Sequence, residues 1–354
     1  MKTVTPGSAN GATIYHVAKV AGVSTATVSR ALNGTAVVAE PTRRRILQAV
    51  RDLGYGPNSI ARSLKTGTTK TIGLILPDIT NPFFPELVKG VQLLADERTY
   101  ALLLSQTGGA PDVEERYLDL LVQGRAVDGI LLVGMTLRGA RLARFGALGI
   151  PSVSLDRNVN LPGMALVHLD NRTGGRHATE HLLSLGHRVI AHIGGPASLT
   201  VSQEREQGYA DALRSAGVRP DGKLVVEGDF TEEGGRKACL ELLDAGARPT
   251  ATFAANDLMA IGAMAALKER GVAVPQDLSV VGFDDIHLAA YTSPALTTVH
   301  QPTYEMGRRA AEILIDEIQQ RRPVHDDRQL VFQGELIVRD STARLSGGSA
   351  PGWR

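Results

Sequence analysis

Within TIYHVAKVAGVSTATVSRALNG, residues 13–34, the side chains Thr25, Ala26, Thr27, Ser29 and Arg30 form a short run of hydroxyls and one methyl ending in a guanidinium. These types suit the edges of base pairs. Arginine makes a bidentate contact to guanine, hydroxyls donate or accept, and an alanine methyl offers only apolar contact to thymine. For that chemistry the run must stand on the outer face of a helix held rigid by a small apolar core. The spacing supplies one: Thr13 caps a first helix with Ile14, Val17, Ala18 and Ala21 inward, Gly22 permits a sharp turn, and Ser24 caps a second helix. Val23, Val28 and Leu32 complete the core, which leaves the polar run where a recognition helix meets the major groove. Helices are predicted over about 14–21, 25–32 and 41–53; in the last, Ile46, Ala49, Val50 and Leu53 share a face while Arg43, Arg44, Arg45 and Arg51 lie largely off it. Pro41 suits its first turn and Gly54 its end.

A second set of polar residues closes apolar runs: Asp78 to Asn81 after TIGLIL, Asp156 and Arg157 after PSVSL, Asn256 and Asp257 after TATFAA, and Asp284 and Asp285 after LSVVGF. Two series of such runs alternate with amphipathic windows. TIGLIL, ALLLSQ, GILLVG and PSVSLD begin the first, and RVIAHIGG, KLVVEGD, TATFAAN and LSVVGFD the second. Continuous apolar strands separated by helices indicate parallel sheets covered on both faces, so an α/β architecture with two doubly wound lobes is expected. Ligands of such lobes gather at the carboxyl ends of the strands. Acids and amides there also serve as helix N-caps, and both roles stay open for each one.

With 354 residues the chain has room for more than one domain. Up to residue 65 nine basic residues face only Glu40 and Asp52, a balance of +7, and the remaining 29 basic and 35 acidic residues leave −6. A basic head on a mildly acidic body suggests that only the head touches a polyanion, although charge alone fits a solvated tail too. Cys239 is the single cysteine, so one chain builds neither a disulfide framework nor a thiolate metal cluster. The first twenty residues lack the apolar core of a signal peptide, and no run of about 18 apolar residues occurs. A cytoplasmic protein is expected. No dinucleotide fingerprint, P-loop or nucleophile elbow is present, and His177 and His181 are not in the order of a zinc protease. The expectation is therefore no enzyme, no catalytic residues, no cofactor and no metal.

The turn-and-helix segment resembles the DNA-binding headpiece of the LacI/GalR (lactose-repressor) family, whose signature is an alanine-glycine-valine turn followed by a threonine-valine-serine-arginine helix. The resemblance continues through SIARSLKTGTTKTIGLILPDITNPFF, ANDLMAIGAM, VVGFDD and LTTVHQP, covering about residues 13 to 342. It implies a helix-turn-helix headpiece over 13–58, a hinge helix and linker over 59–69, and a two-lobed core over 70–342 similar to periplasmic sugar-binding proteins. Residues 1–12 and 343–354 are expected to be flexible tails. Crossings between lobes are expected near Asp170, Leu296 and Asp327, giving lobe one as about 71–169 and 297–327, and lobe two as about 170–296 and 328–342. Thr25, Ala26 and Arg30 match the family's base-reading positions, and Leu64 matches a leucine that wedges into the minor groove at the operator centre.

The resemblance also assigns an effector pocket: Asn81, Phe83, Phe84, Asp156, Arg157, Arg205, Phe230, Asn256, Asp284 and Gln301. The chemistry agrees, because sugar hydroxyls both donate and accept and so call for carboxylates, amides and guanidiniums, while aromatic rings cover the apolar faces. The two arginines also suit a sugar acid or phosphate ester, whereas Asp156 and Asp284 favour a neutral sugar or polyol. The implied protein is a homodimeric transcription regulator, in the repressor mould, with operator DNA and a sugar-like effector as partners. A sugar-binding protein or sugar-metabolising enzyme without a DNA role is the alternative.

Overall fold

The computed structural model describes residues 12–33, 36–55, 67–136, 139–157, 163–320 and 329–345. The chain divides after Thr69 into two compact units.

In the first unit three helices, α1 (Ile14–Ala21), α2 (Thr25–Asn33) and α3 (Glu40–Asp52), close around Val17, Ala18, Ala21, Val28, Ala31, Ile46 and Ala49. Ile14, Val23, Leu32, Val50 and Leu53 pack on this core, as the spacing requires. The turn after α1 depends on Gly22, whose φ of +66° is a left-handed value that side chains with a Cβ disfavour. The Val23 amide then reaches back to the Ala18 carbonyl at 3.0 Å. At the start of α2 the Ser24 hydroxyl accepts from the Thr27 amide at 3.2 Å, satisfying one of the free N–H groups of a helix N-terminus.

The second unit holds two six-stranded sheets. The first is built from β1 (Thr71–Leu76), β2 (Ala101–Gln106), β3 (Gly129–Val133), β4 (Ser152–Leu155), β5 (Ala165–Leu169) and β11 (Gln329–Phe332), in the order 2-1-3-4-5-11. The second contains β6 (Ile190–Gly194), β7 (Val225–Glu227), β8 (Ala251–Ala254), β9 (Ser279–Asp284), β10 (Thr297–His300) and β12 (Glu335–Ile337), in the order 7-6-8-9-10-12. All neighbours run parallel except β12, which pairs antiparallel with β10. Both orders reverse direction once, between β1 and β3 and between β6 and β8. Those are the switch points at which doubly wound sheets open a crevice beyond the strand ends.

Helices α4 (Phe83–Glu97), α5 (Pro111–Gln123) and α6 (Gly139–Ala147) follow the first three strands, and α7 (Asn171–Ser184), α8 (Thr200–Ser215), α9 (Glu232–Asp244), α10 (Asp257–Glu269) and α11 (Thr303–Gln320) complete the described helices of this unit. Three helix pairs approach so closely that each partner contributes a glycine at the contact. A Cβ on Gly90 of α4 would strike the Tyr304 carbonyl of α11, and one on Gly307 would strike Leu87 of α4. Gly175 and Gly208 play the same reciprocal part for α7 and α8, and Gly235 and Gly262 for α9 and α10. These contacts fix where the helix N-termini emerge beside the strand ends.

Two lobe boundaries differ from the expected ones. β10 pairs in register with β9, Thr297 opposite Val281, so residues 297–300 belong to the second sheet and the chain crosses between His300 and Thr303, not near Leu296. β11 pairs with β5, Gln329 opposite Leu166, so residues 329–332 lie in the first sheet and the last crossing follows Phe332; Asp327 itself is outside the described residues. Short strands are assigned by their pairing partner, which chain order does not reveal. Residues 343–345 are no loose tail either. The Ala343 amide donates to the Ser279 hydroxyl at 3.0 Å, and the Leu345 amide donates to the Leu185 carbonyl at 2.9 Å.

His181, His187 and His192 have structural surroundings. His187 meets the Thr250 and Ser279 hydroxyls at 3.0 and 3.1 Å, and His181 meets the Thr342 hydroxyl at 3.0 Å. His192 is fully buried between the rings of Tyr209 and Phe253, and burial lowers its pKa to about 4. Among the described residues no group of three or more potential ligands is arranged to hold a metal ion, and no helix is long and apolar enough to cross a membrane.

Candidate functional site

In the first unit the core-facing side of α2 is Val28 and Ala31, with Leu32 partly buried. Its opposite side carries Ala26 and Arg30 exposed, with Thr25, Thr27 and Ser29 half-buried around them. Arg43, Arg44 and Arg45 are exposed on α3. The five described residues predicted to read DNA therefore share one short helix whose start is fixed by the Ser24 cap. Tyr15 on α1 is 73% exposed. Leu64 lies outside the described residues.

The second unit has a cleft of about 640 Å³ between its lobes, at the carboxyl ends of β1, β3, β6 and β8. Asn81, Phe83, Phe84, Asp156 and Arg157 line it from the first lobe, and Arg205, Phe230, Asn256 and Asp284 from the second. Gln301 does not. It is buried behind Asp284, to whose carboxylate its Nε2 donates at 2.6 Å, and its own Oε1 has no partner. Its role is to hold an acid that faces the cleft, a distinction that depends on side-chain depth at a crossover.

Arg205 is 3% exposed and held from four directions. Its Nε donates to Asn171 at 2.9 Å, its Nη1 donates to the Ala255 carbonyl at 2.5 Å and lies 3.5 Å from the Asp284 carboxylate, and its guanidinium covers the Phe283 ring at 3.8 Å. Burial pushes the Asp284 pKa up to about 7, against the pull of Arg205 and the Gln301 hydrogen bond. Burial also raises Asp156, although Arg157 and Arg205 both favour its charge. Arg157, just beyond β4, reaches across to the end of β3, donating to the Gly134 carbonyl at 2.6 Å and standing 3.7 Å from Asp156.

Backbone strain collects here. Asp156, Phe230 and Asp284 have φ of +73°, +67° and +113°. Non-glycine residues hold such values only where the surroundings over-determine them, and the result is a set of side chains aimed across the strand ends. Gly195 makes room for Phe230, since a Cβ there would enter the ring. Asn256 is both cap and lining: its Oδ1 accepts from the Met259 amide at 2.9 Å and its Nδ2 donates to the Phe230 carbonyl at 3.1 Å. Phe83 and Phe84 meet edge to face at 5.1 Å and are mostly buried.

Several lining residues lie outside the ten assigned to the pocket, Asp78 and Thr80 among them although both belong to the strand-end residues named in the sequence. Asp78, Thr80, Thr136, Asp229, Thr231 and Glu232 all border the cleft. Asp78 and Asp229 share a signal that the sequence does contain, an Asp-x-Thr turn at the end of an apolar run. In each turn the carboxylate accepts from the threonine amide two residues on, at 2.9 Å. Thr136 was unreadable, because its place depends on the distant Glu114 carboxylate, which accepts its amide at 3.1 Å.

The model of bacterial regulatory proteins of the lacI family matches residues 13–58, and that of a periplasmic binding protein-like domain matches residues 179–342. The repressor CytR of Escherichia coli K12 is 38% identical over 346 residues, spanning 94% of this chain and 97% of its own length. The chain belongs to the lacI family. A second lacI-family relative, the repressor PurR of Vibrio vulnificus, is 39% identical and covers 95% of this chain and 100% of its own. Among solved structures, the lac repressor dimer bound to operator and an anti-inducer superposes with a TM-score of 0.85 at 28% identity, covering 94% of this chain and 100% of that one. The complex of the regulator CelR with cellobiose has a TM-score of 0.71 at 37% identity, covering 93% and 99%. As a lacI-family member the chain is a DNA-binding transcriptional regulator with a ligand-binding core.

Proposed function

We propose that this lacI-family regulator is a cytoplasmic repressor whose hold on its operator is set by a sugar-like effector bound in the cleft between the lobes. The carrying observation is the cleft's mixture of groups. Buried Asp156, Arg205 and Asp284 and half-buried Arg157 line the cleft together with the rings of Phe83, Phe84 and Phe230 beyond the strand ends. Hydroxyls that donate and accept on a ring with apolar faces match that mixture. The solved relatives with bound cellobiose and bound ribose support the reading. On the operator side, Arg30 carries the direct reading of guanine, Thr25, Thr27 and Ser29 contribute hydroxyl contacts, Ala26 meets a thymine methyl, and Leu64 supplies the central wedge. Two copies present two headpieces to a two-fold operator, so the acting form is a homodimer; the lac repressor dimer on its operator is the supporting relative.

A gel shift on the chain's own promoter DNA, repeated with pentoses, hexoses and disaccharides and with Arg205→Ala, tests this reading. The expected result is a retarded complex whose midpoint moves with at least one sugar, and a variant that still binds DNA but ignores that sugar. A complex indifferent to every sugar would refute the effector assignment.

A further inference from the structure

Resting on the sugar reading of this cleft, we infer that the effector carries no net negative charge: the site takes an uncharged or amino sugar and rejects its phosphate and carboxylate counterparts. Proteins recognise anions by guanidinium forks and by the free amides of helix N-termini. In this cleft the guanidiniums already stand beside carboxylates, and the helix starts are capped or have acidic side chains near them.

The two lining arginines each stand beside a buried carboxylate, Arg157 3.7 Å from Asp156 and Arg205 3.5 Å from Asp284. Both donate to backbone carbonyls as well, to Gly134 and to Ala255. Against these two cations the lining has five carboxylates, Asp78, Asp156, Asp229, Glu232 and Asp284. An arriving phosphate would have to displace a carboxylate from a buried guanidinium, leaving an unpaired charge in the interior.

The helix ends give the same answer independently. At three helix starts beside the cleft a side chain takes one early amide: Asn81 takes the Phe83 amide at 3.0 Å, Thr231 takes Gly234 at 3.0 Å and Asn256 takes Met259 at 2.9 Å. Two more starts, α5 after Ala110 and α8 after Leu199, have no side-chain cap, but α5 carries Asp112 and Glu114 in its first turn, and in the loop before α8 the Glu227 carboxylate accepts from the Ala197 amide at 3.1 Å. Glu232 adds a further negative charge in the first turn of α9, where the helix dipole would otherwise favour an anion.

Titration calorimetry on the full-length protein decides this with matched probes: ribose and ribose 5-phosphate; glucose, glucosamine, glucuronate and glucose 6-phosphate; cellobiose and cellobionate. The expected result is that at least one uncharged or amino sugar binds and that its anionic counterpart binds at least tenfold more weakly. Glu232→Lys, which reverses a rim charge, is expected to narrow that gap several-fold. An anionic sugar that binds as tightly as its neutral partner would overturn the inference and leave the sugar reading standing. Heat from none of these probes would sink the sugar reading, and the inference with it.

Discussion

Asp284 joins more of the site's physics than any other residue. It ends β9 in a left-handed conformation, receives the Gln301 amide and faces Arg205, and burial still raises its pKa to about 7. Because the folded value lies above the ordinary carboxylate value of 3.8, the native state holds more protons than the unfolded chain between about pH 4 and 7. Stability therefore falls as pH rises through that window, and Asp284→Asn is expected to flatten the slope in denaturant titrations. A ligand hydroxyl donating to Asp284 prefers the ionised form. Effector affinity is thus expected to rise from pH 6 to pH 8, by up to about tenfold per pH unit below 7, and to level off above it. An affinity independent of pH would remove Asp284 from direct contact with the effector.

Two elements set the performance of the chain's two ends. The α2 helix presents Arg30 on a face opposite Val28 and Ala31, so Arg30→Ala removes a base contact without opening the core. It is expected to weaken cognate operator binding by about 1 to 3 kcal/mol while random DNA is much less affected. Equal losses on both, in fluorescence-anisotropy titrations, would reduce Arg30 to a phosphate contact. In the core, the α9–α10 crossing depends on Gly235 and Gly262, each lying against the other helix's backbone. Since neither backbone can yield cheaply, Gly262→Ala is expected to cost about 1 to 3 kcal/mol of stability. Thermal unfolding measures it, and an unchanged midpoint would show that the crossing has slack.

The whole molecule has to couple ligand occupancy to DNA affinity, and its covalent means are the crossings after Leu169, after His300 and after Phe332. The first two lie next to a side chain bound to a cleft residue, and the third is tied to the first through the backbone. Asn171 binds Arg205, Gln301 binds Asp284, and the Phe332 carbonyl accepts from the Asp170 amide at 2.9 Å. Sedimentation equilibrium on the full-length chain is expected to give a dimer, because a single headpiece reads only half of a two-fold operator. A monomer that binds operator at full strength would refute that assembly.

The headpiece was legible in the sequence almost residue by residue. Three short amphipathic helices joined by a glycine turn leave one packing solution, and local spacing alone tells Val28 from Arg30. The two doubly wound lobes were legible too, since long apolar runs between amphipathic windows have no other comfortable arrangement than a covered parallel sheet. Nine of the ten expected cleft residues came together there, on a family resemblance and on the rule that strand ends gather ligands. What remained hidden depends on partners distant in the chain. β10 and β11 change sheets relative to expectation because four residues carry too little pattern to name their neighbour. Gln301 retreats behind Asp284, and Thr136 enters the lining on the carboxylate of Glu114, because depth and hydrogen-bond partner are properties of packed side chains. The charge character of the cleft belongs to the same class: the sequence names its arginines, but only tertiary structure decides that each stands beside a buried carboxylate.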